Sequence, residues 1–183
     1  DVAHVDLYSC FPSAVQLGAD ALGLAPDDPS RPLTVTGGLA FGGGPGNNYV
    51  TGSIAAMAAT LRRDPGSVGL TTGLGWYATK HSLGVWSTTP PHHPFSRHHP
   101  QAEVDAGPRR VAAESFTGPV QVETWTVTHE RDGEPALGIV AGLTQDGSRA
   151  WGNARKPDVL HTLLDDDPAG ASATIAEDGE LTL

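Results

Sequence analysis

Apolar and polar positions along the chain follow two regimes, separated by a stretch rich in proline and histidine. In the first regime, strand-like alternation and helix-like spacing take turns, the mixture that an α/β unit leaves in its sequence. Val2 to Leu7 reads as a buried strand, and Pro12 at a first helical turn introduces a helix over Ser13 to Leu22. Ala14, Val15, Leu17, Ala21 and Leu22 form its apolar stripe, and Gly23 ends it. Ala25 to Pro32 is a surface loop, and Leu33 to Thr36 predicts a short strand. After a glycine-rich loop, a helix runs from about Asn47 to Arg63, with Ile54, Met57, Ala58 and Leu61 at three- and four-residue spacing. Asp64-Pro65-Gly66 stops it, and Val68 to Thr72 is the next strand. Gly73 and Gly75 predict a turn into Trp76 to Thr79, a strand passing into a helical turn near His81.

Past Gly118 the pattern switches to period two. VQVETWTVTHE, ALGIVAGLT and SRAWGNA predict a three-stranded meander, with Asp132-Gly133 and Asp146-Gly147 as its hairpin turns. Asp158 to Leu164 is a short helix broken by Asp165-Asp166-Asp167-Pro168, and Thr174-Ile175 with Leu181 to Leu183 adds a ribbon around Asp178-Gly179. Five short strands and one helix fit a small β-barrel of the oligonucleotide-binding type. The organisation expected is therefore an α/β unit over residues 1–87, a linker or wrapping arm over 88–118, and a small mainly-β unit over 119–183.

Composition narrows the partners. With 38% hydrophobic residues the 183-residue chain can build a real core. A formal charge of -10 argues against nucleic acid and anionic membrane surfaces, and the β-unit nearly lacks the aromatic platform that single strands stack on. Cys10, the single cysteine, excludes an intrachain disulfide framework and a cysteine-based zinc site, which points to a reducing compartment and to the cytoplasm. No apolar run approaches the roughly 20 residues that span a bilayer. The chain opens on Asp1 inside what reads as a strand, so a preceding N-terminal portion is expected to cover the open sheet edge.

Two stretches invite chemistry. The glycines from Gly37 to Gly46 precede a helix that Asn47 or Asn48 can cap, a setting that suits either an anion cradle or a tight chain crossing. It matches neither the P-loop nor the dinucleotide fingerprint. His92, His93, His98 and His99 supply imidazoles, but they come as adjacent pairs around Pro94 without orienting carboxylates. That pattern fits adventitious metal binding on a solvated loop better than a metal site, and no metal is assigned.

Three pieces taken together, VDLYSCF, the GGLAFGGGP loop before a helix, and TTGLGWY, resemble the C-terminal half of a thiolase. The resemblance is to the sterol-carrier-type, acetyl-CoA acetyltransferase branch and covers about residues 1–87. The following β-unit resembles the additional C-terminal domain of thiolase-like proteins of actinobacteria. The resemblance implies a layered αβαβα fold of two similar halves, of which this chain supplies one αβα half, and coenzyme A thioesters as substrate or ligand, with no covalently bound cofactor. It implies as partners an N-terminal thiolase half, on the same protein or a separate chain, and an acyl-CoA; in the alternative of a scaffold subunit, the β-unit docks a partner protein or the acyl chain.

In that family a cysteine of the N-terminal half is acylated, a histidine in a GHP loop and a side chain in an NEAF or HDCF motif hold the oxyanion, and a cysteine in a CxG loop moves the proton. Carried over, GHP corresponds to Gly43-Gly44-Pro45, so Gly44 replaces the histidine. HDCF corresponds to Tyr8-Ser9-Cys10-Phe11, which puts Tyr8 at the donor position. The CxG cysteine falls at Thr71 or Thr72, neither of which forms a thiolate. Cys10 is either a replacement nucleophile or a small buried hydrophobe, and His81 is either a relocated base or a surface histidine. Gly42, Gly43, Gly44, Asn47, Asn48, Thr71 and Thr72 are the expected substrate-binding residues. The implied function is acyltransferase-like with altered catalytic motifs, against the alternative of a non-catalytic binding or scaffold subunit.

Overall fold

A computed structural model describes residues 2–183, and the chain divides into two compact units, 1–97 and 98–183. Asp1 lies outside the described residues. The first unit contains β1 (His4–Asp6), α1 (Pro12–Ala21), α2 (Leu39–Gly42), α3 (Tyr49–Arg63), β2 (Val68–Gly75) and β3 (Lys80–Ser87). Its sheet has the order β1-β2-β3, with β1 parallel to β2 and β3 antiparallel to it. A parallel pair needs a long crossover, and here the crossover carries all three helices and the glycine loop. Val5, Leu7, Ala19 and Leu70 are buried together, with Val15, Leu24 and Leu33 packed against them. Met57 of α3 lies over β2 at Gly69, where a Cβ would fall 2.3 Å from the Met57 sulfur, so this close approach of helix to strand requires a glycine.

Three expectations for this unit need correction. The inward face of α1 is Val15, Gly18 and Ala19, while Leu17 is 63% and Leu22 40% exposed. The small Gly18 lets the helix approach Leu7, and that contact sets the helix rotation in place of the bulkier stripe. Leu33 to Thr36 forms no strand, because its amides turn to a side chain of β1. Gly73 and Gly75 lie within β2, and Trp76 to Thr79 is the hairpin turn into β3, not a strand. That turn holds Trp76 and Ala78 at positive φ, 54° and 58°, an unusual conformation for side chains with a Cβ.

The second unit contains α4 (Gln101–Asp105), β4 (Gly118–His129), β5 (Pro135–Leu143), β6 (Arg149–Ala154), α5 (Pro157–Asp165), β7 (Ser172–Ile175) and β8 (Leu181–Thr182). The meander, helix and terminal ribbon form where the alternation places them, in a sheet of order β6-β5-β4-β7-β8. Val122, Val140, Ala150, Leu163, Ile175 and Leu181 anchor its core, and the Trp125 indole donates to the Leu163 carbonyl at 2.6 Å, tying α5 to β4. The sheet does not close into a barrel. Its edges touch at one parallel bridge, Asn153 to Glu180, because β8 is two residues long and cannot extend a ladder along β6. The fold is thus an α/β unit with a three-stranded sheet followed by a small mainly-β unit with an open five-stranded sheet.

Carboxylates held by donors link stability to pH. Arg149 grips Glu123 in a fork, Nε to Oε2 at 2.6 Å and Nη2 to Oε1 at 2.9 Å, with Arg110 at 3.2 Å. The Arg149 hydrogen bonds, opposed by partial desolvation, hold Glu123 below its ordinary value of 4.5. Asp64 is lowered chiefly by its bond to His4, and Asp146 chiefly by its bond to Thr144. A depressed folded-state pKa gives stability that is complete above the unfolded value and lost as pH falls from there through the folded-state value. The urea midpoint is therefore expected to drop as pH is lowered from about 6 to 3. Glu123→Gln should flatten that slope, and an unchanged slope would assign the pH response elsewhere.

Candidate functional site

The site is built outward from the end of β1. Asp6 is fully buried. Its Oδ2 accepts from Val35 N at 2.9 Å, Thr36 N at 3.2 Å, Thr34 Oγ1 at 3.0 Å and Thr36 Oγ1 at 3.2 Å. Its Oδ1 accepts from the Tyr49 hydroxyl at 2.7 Å. Charge-assisted bonds of this kind are about twice as strong as neutral ones and are stronger away from water. Burial is the largest influence on Tyr49 and raises its hydroxyl above the usual range; a bond with Thr36 opposes this, and the Asp6 carboxylate adds to it. One carboxylate thus joins β1, the 34–36 segment and the first turn of α3.

The same segment sets the glycine loop. Gly38 N donates to Thr34 Oγ1 and to Thr36 Oγ1, each at 3.0 Å, and Leu39 N donates to Ser9 Oγ at 2.8 Å. Gly38 holds φ 83°, a conformation that glycine adopts at no steric cost. The chain then makes the short α2, reverses at Gly43 with φ 63°, and enters α3 from Asn48. A cavity of about 340 Å³ opens beside this loop, walled by Thr36, Gly42, Gly43, Pro45 and Asn48, with Tyr49, Gly52, Ser53 and Ala56 on the helix side. Asn48 occupies the N-cap position, but its side chain makes no cap hydrogen bond.

The expected site residues divide around this cavity. Gly42, Gly43 and Asn48 line it, Gly44 packs beside it, and Asn47 is exposed outside its wall. Tyr8 is half-buried, edge-on to Tyr49 at 5.4 Å between ring centres, and its backbone N donates to Thr72 Oγ1 at 2.8 Å. The Trp86 indole donates to Thr71 Oγ1 at 2.9 Å. The hydroxyls of both Thr71 and Thr72 are therefore already bonded within the scaffold. Cys10 is half-buried with a free thiol. His81 is exposed on the β3 hairpin, its Nε2 2.8 Å from the Ala78 carbonyl, and is not part of the cavity wall. His92, His93, His98 and His99 lie on exposed backbone, and no three metal-binding side chains gather among the described residues. Sequence reasoning passed over Asp6, Tyr49 and Ser53. The available signals were a lone carboxylate inside the apolar run VDL and the paired hydroxyls of Thr34-Val35-Thr36 before two glycines.

Residues 100–180 match the family model of the thiolase-like protein type 1 additional C-terminal domain. The chain is thiolase-like. Over its whole length it is similar to the crystal structure of a monomeric SCP2-thiolase-like protein type 1 from Mycobacterium smegmatis, at 40% identity and a TM-score of 0.86. The chain spans 41% of the length of that protein. No curated protein matches the sequence. The thiolase-like resemblance carried by VDLYSCF, the glycine loop and TTGLGWY thus holds. At the place where the resemblance puts a catalytic histidine, a Cβ would lie 2.9 Å from Leu39 Cδ2 and 3.1 Å from Tyr49 Cβ.

Proposed function

We propose that the protein is an acyl-CoA-binding member of the thiolase superfamily whose catalytic motifs are altered, with the Gly42–Asn48 loop and Tyr8 at the acyl end of the ligand. The observation that carries this reading is the loop itself, held in shape by Asp6 over a cavity while its side-chain chemistry is absent. A side chain at Gly44 would crowd Leu39 and Tyr49, and Thr72 and Thr71, the two candidates for the base position, are bonded to Tyr8 and Trp86. Those same contacts favour a second reading, a non-catalytic binding or scaffold subunit. Acyl transfer would require a nucleophilic cysteine from an N-terminal thiolase half.

Acetyl-CoA at one hundred times its dissociation constant is expected to stabilise the intact protein by about 2.7 kcal/mol, a rise in Tm of several degrees. No shift at millimolar acetyl-CoA would overturn the acyl-CoA reading. Where binding is found, release of free thiol from acetyl-CoA separates an acyltransferase from a binding subunit.

A further inference from the structure

Helix α3 presents Tyr49, Ser53, Met57 and Leu61 as its buried face, one residue at every fourth position. Tyr49 is bonded to Asp6 and Met57 is seated on β2, whereas Ser53 is fully buried and its Oγ has neither donor nor acceptor. A serine inside a helix commonly bonds the carbonyl four residues back, and a buried hydroxyl left unpaired is destabilising. Ser53 is also part of the cavity wall at the start of α3, where the Asn48 side chain leaves the first turn uncapped. The residue that carries the unpaired hydroxyl therefore belongs to the wall of this space.

The rest of the wall says what such a ligand is. No lysine, arginine or histidine lines it, so a phosphate would find no counter-charge, and the Asp6 carboxylate lies just behind Tyr49. Pro45, Ala56 and the Tyr49 ring supply apolar surface. An uncharged segment with an acceptor oxygen and a short apolar tail fits this lining, and the volume lies at the lower end of the range for ligand pockets.

We propose that Ser53 is a ligand-binding residue whose hydroxyl donates to the thioester carbonyl oxygen of a short acyl ligand seated in this cavity. The inference rests on the acyl-CoA reading above and adds the residue and the atom it recognises. On binding the carbonyl oxygen exchanges a hydrogen bond to water for one from the previously unpaired hydroxyl, and no covalent step is involved.

The test compares acetyl-CoA with S-ethyl-CoA, its thioether analogue lacking the carbonyl, by calorimetric titration of the intact protein and of Ser53→Ala. The wild type is expected to prefer the thioester by about fivefold to tenfold, and the variant to lose that preference while melting no lower than wild type without ligand. Ser53→Cys, which keeps the volume with a weaker donor, should be intermediate and serves for comparison should the alanine variant fail to fold. Preference retained in the variants, or absent from a wild type that binds acetyl-CoA, overturns the role of Ser53 and leaves the acyl-CoA reading intact. A wild type that binds neither compound overturns both.

Discussion

Replacing Asp6 with alanine is expected to cost the first unit about 3–5 kcal/mol, a large part of the stability of a small domain. The substitution strands the Val35 amide, the Thr34 hydroxyl and the Tyr49 hydroxyl around a position that is itself fully buried. Each unpaired buried donor costs about 1–3 kcal/mol, and re-pairing of Thr36 with Tyr49 recovers part of the sum. Asp6→Asn separates the role of the acceptors from that of the volume. Its amide oxygen can still serve the 34–36 segment, while its NH2 donates to Tyr49 and the Tyr49 proton turns to Thr36. The expected loss is about 1–2 kcal/mol. Urea unfolding followed by tryptophan fluorescence gives both values. An alanine variant within about 1 kcal/mol of wild type would show that the carboxylate does not organise the loop.

Gly44→His is expected to gain no thiolase activity and to lower stability by about 1–3 kcal/mol, the usual cost of overpacking. The Leu39 methyl can swing aside, but the Tyr49 Cβ sits on the helix backbone and is fixed by the bond from its hydroxyl to Asp6. Gly44→Ala should show the same loss at reduced size, since it meets the same two atoms. Thermal denaturation and a thiolysis assay on the intact protein check the two halves of this expectation. A histidine variant as stable as wild type would mean that the loop relaxes freely, contrary to its anchoring at Gly38 and Leu39.

The β-unit was legible because alternation and Asp-Gly turns are local signals, and they placed the meander and its helix directly. Closure was not legible, since it depends on how many residues of β8 reach β6. In the α/β unit, Leu33 to Thr36 has the β-branched composition of a strand, but a distant carboxylate claims its amides. Spacing alone also offered α1 a stripe through Leu17, where backbone approach through Gly18 decided otherwise. The glycine loop and its helix could be read from sequence. For Asp6 the sequence offered only an ambiguous signal, because in a strand pattern a lone charged residue also looks like a solvent-facing position, and only the folded chain brings Tyr49 and the threonines around it.

That arrangement bears on how a ligand would enter. The 34–38 segment belongs to no β-ladder, yet opening it would break the bonds that also fix β1 and α3. It therefore belongs to the cooperative unit of the strand and helix, not to the fraying parts of the chain. A ligand of the kind proposed would meet a preorganised recess, and little of its binding free energy would be spent on ordering the loop.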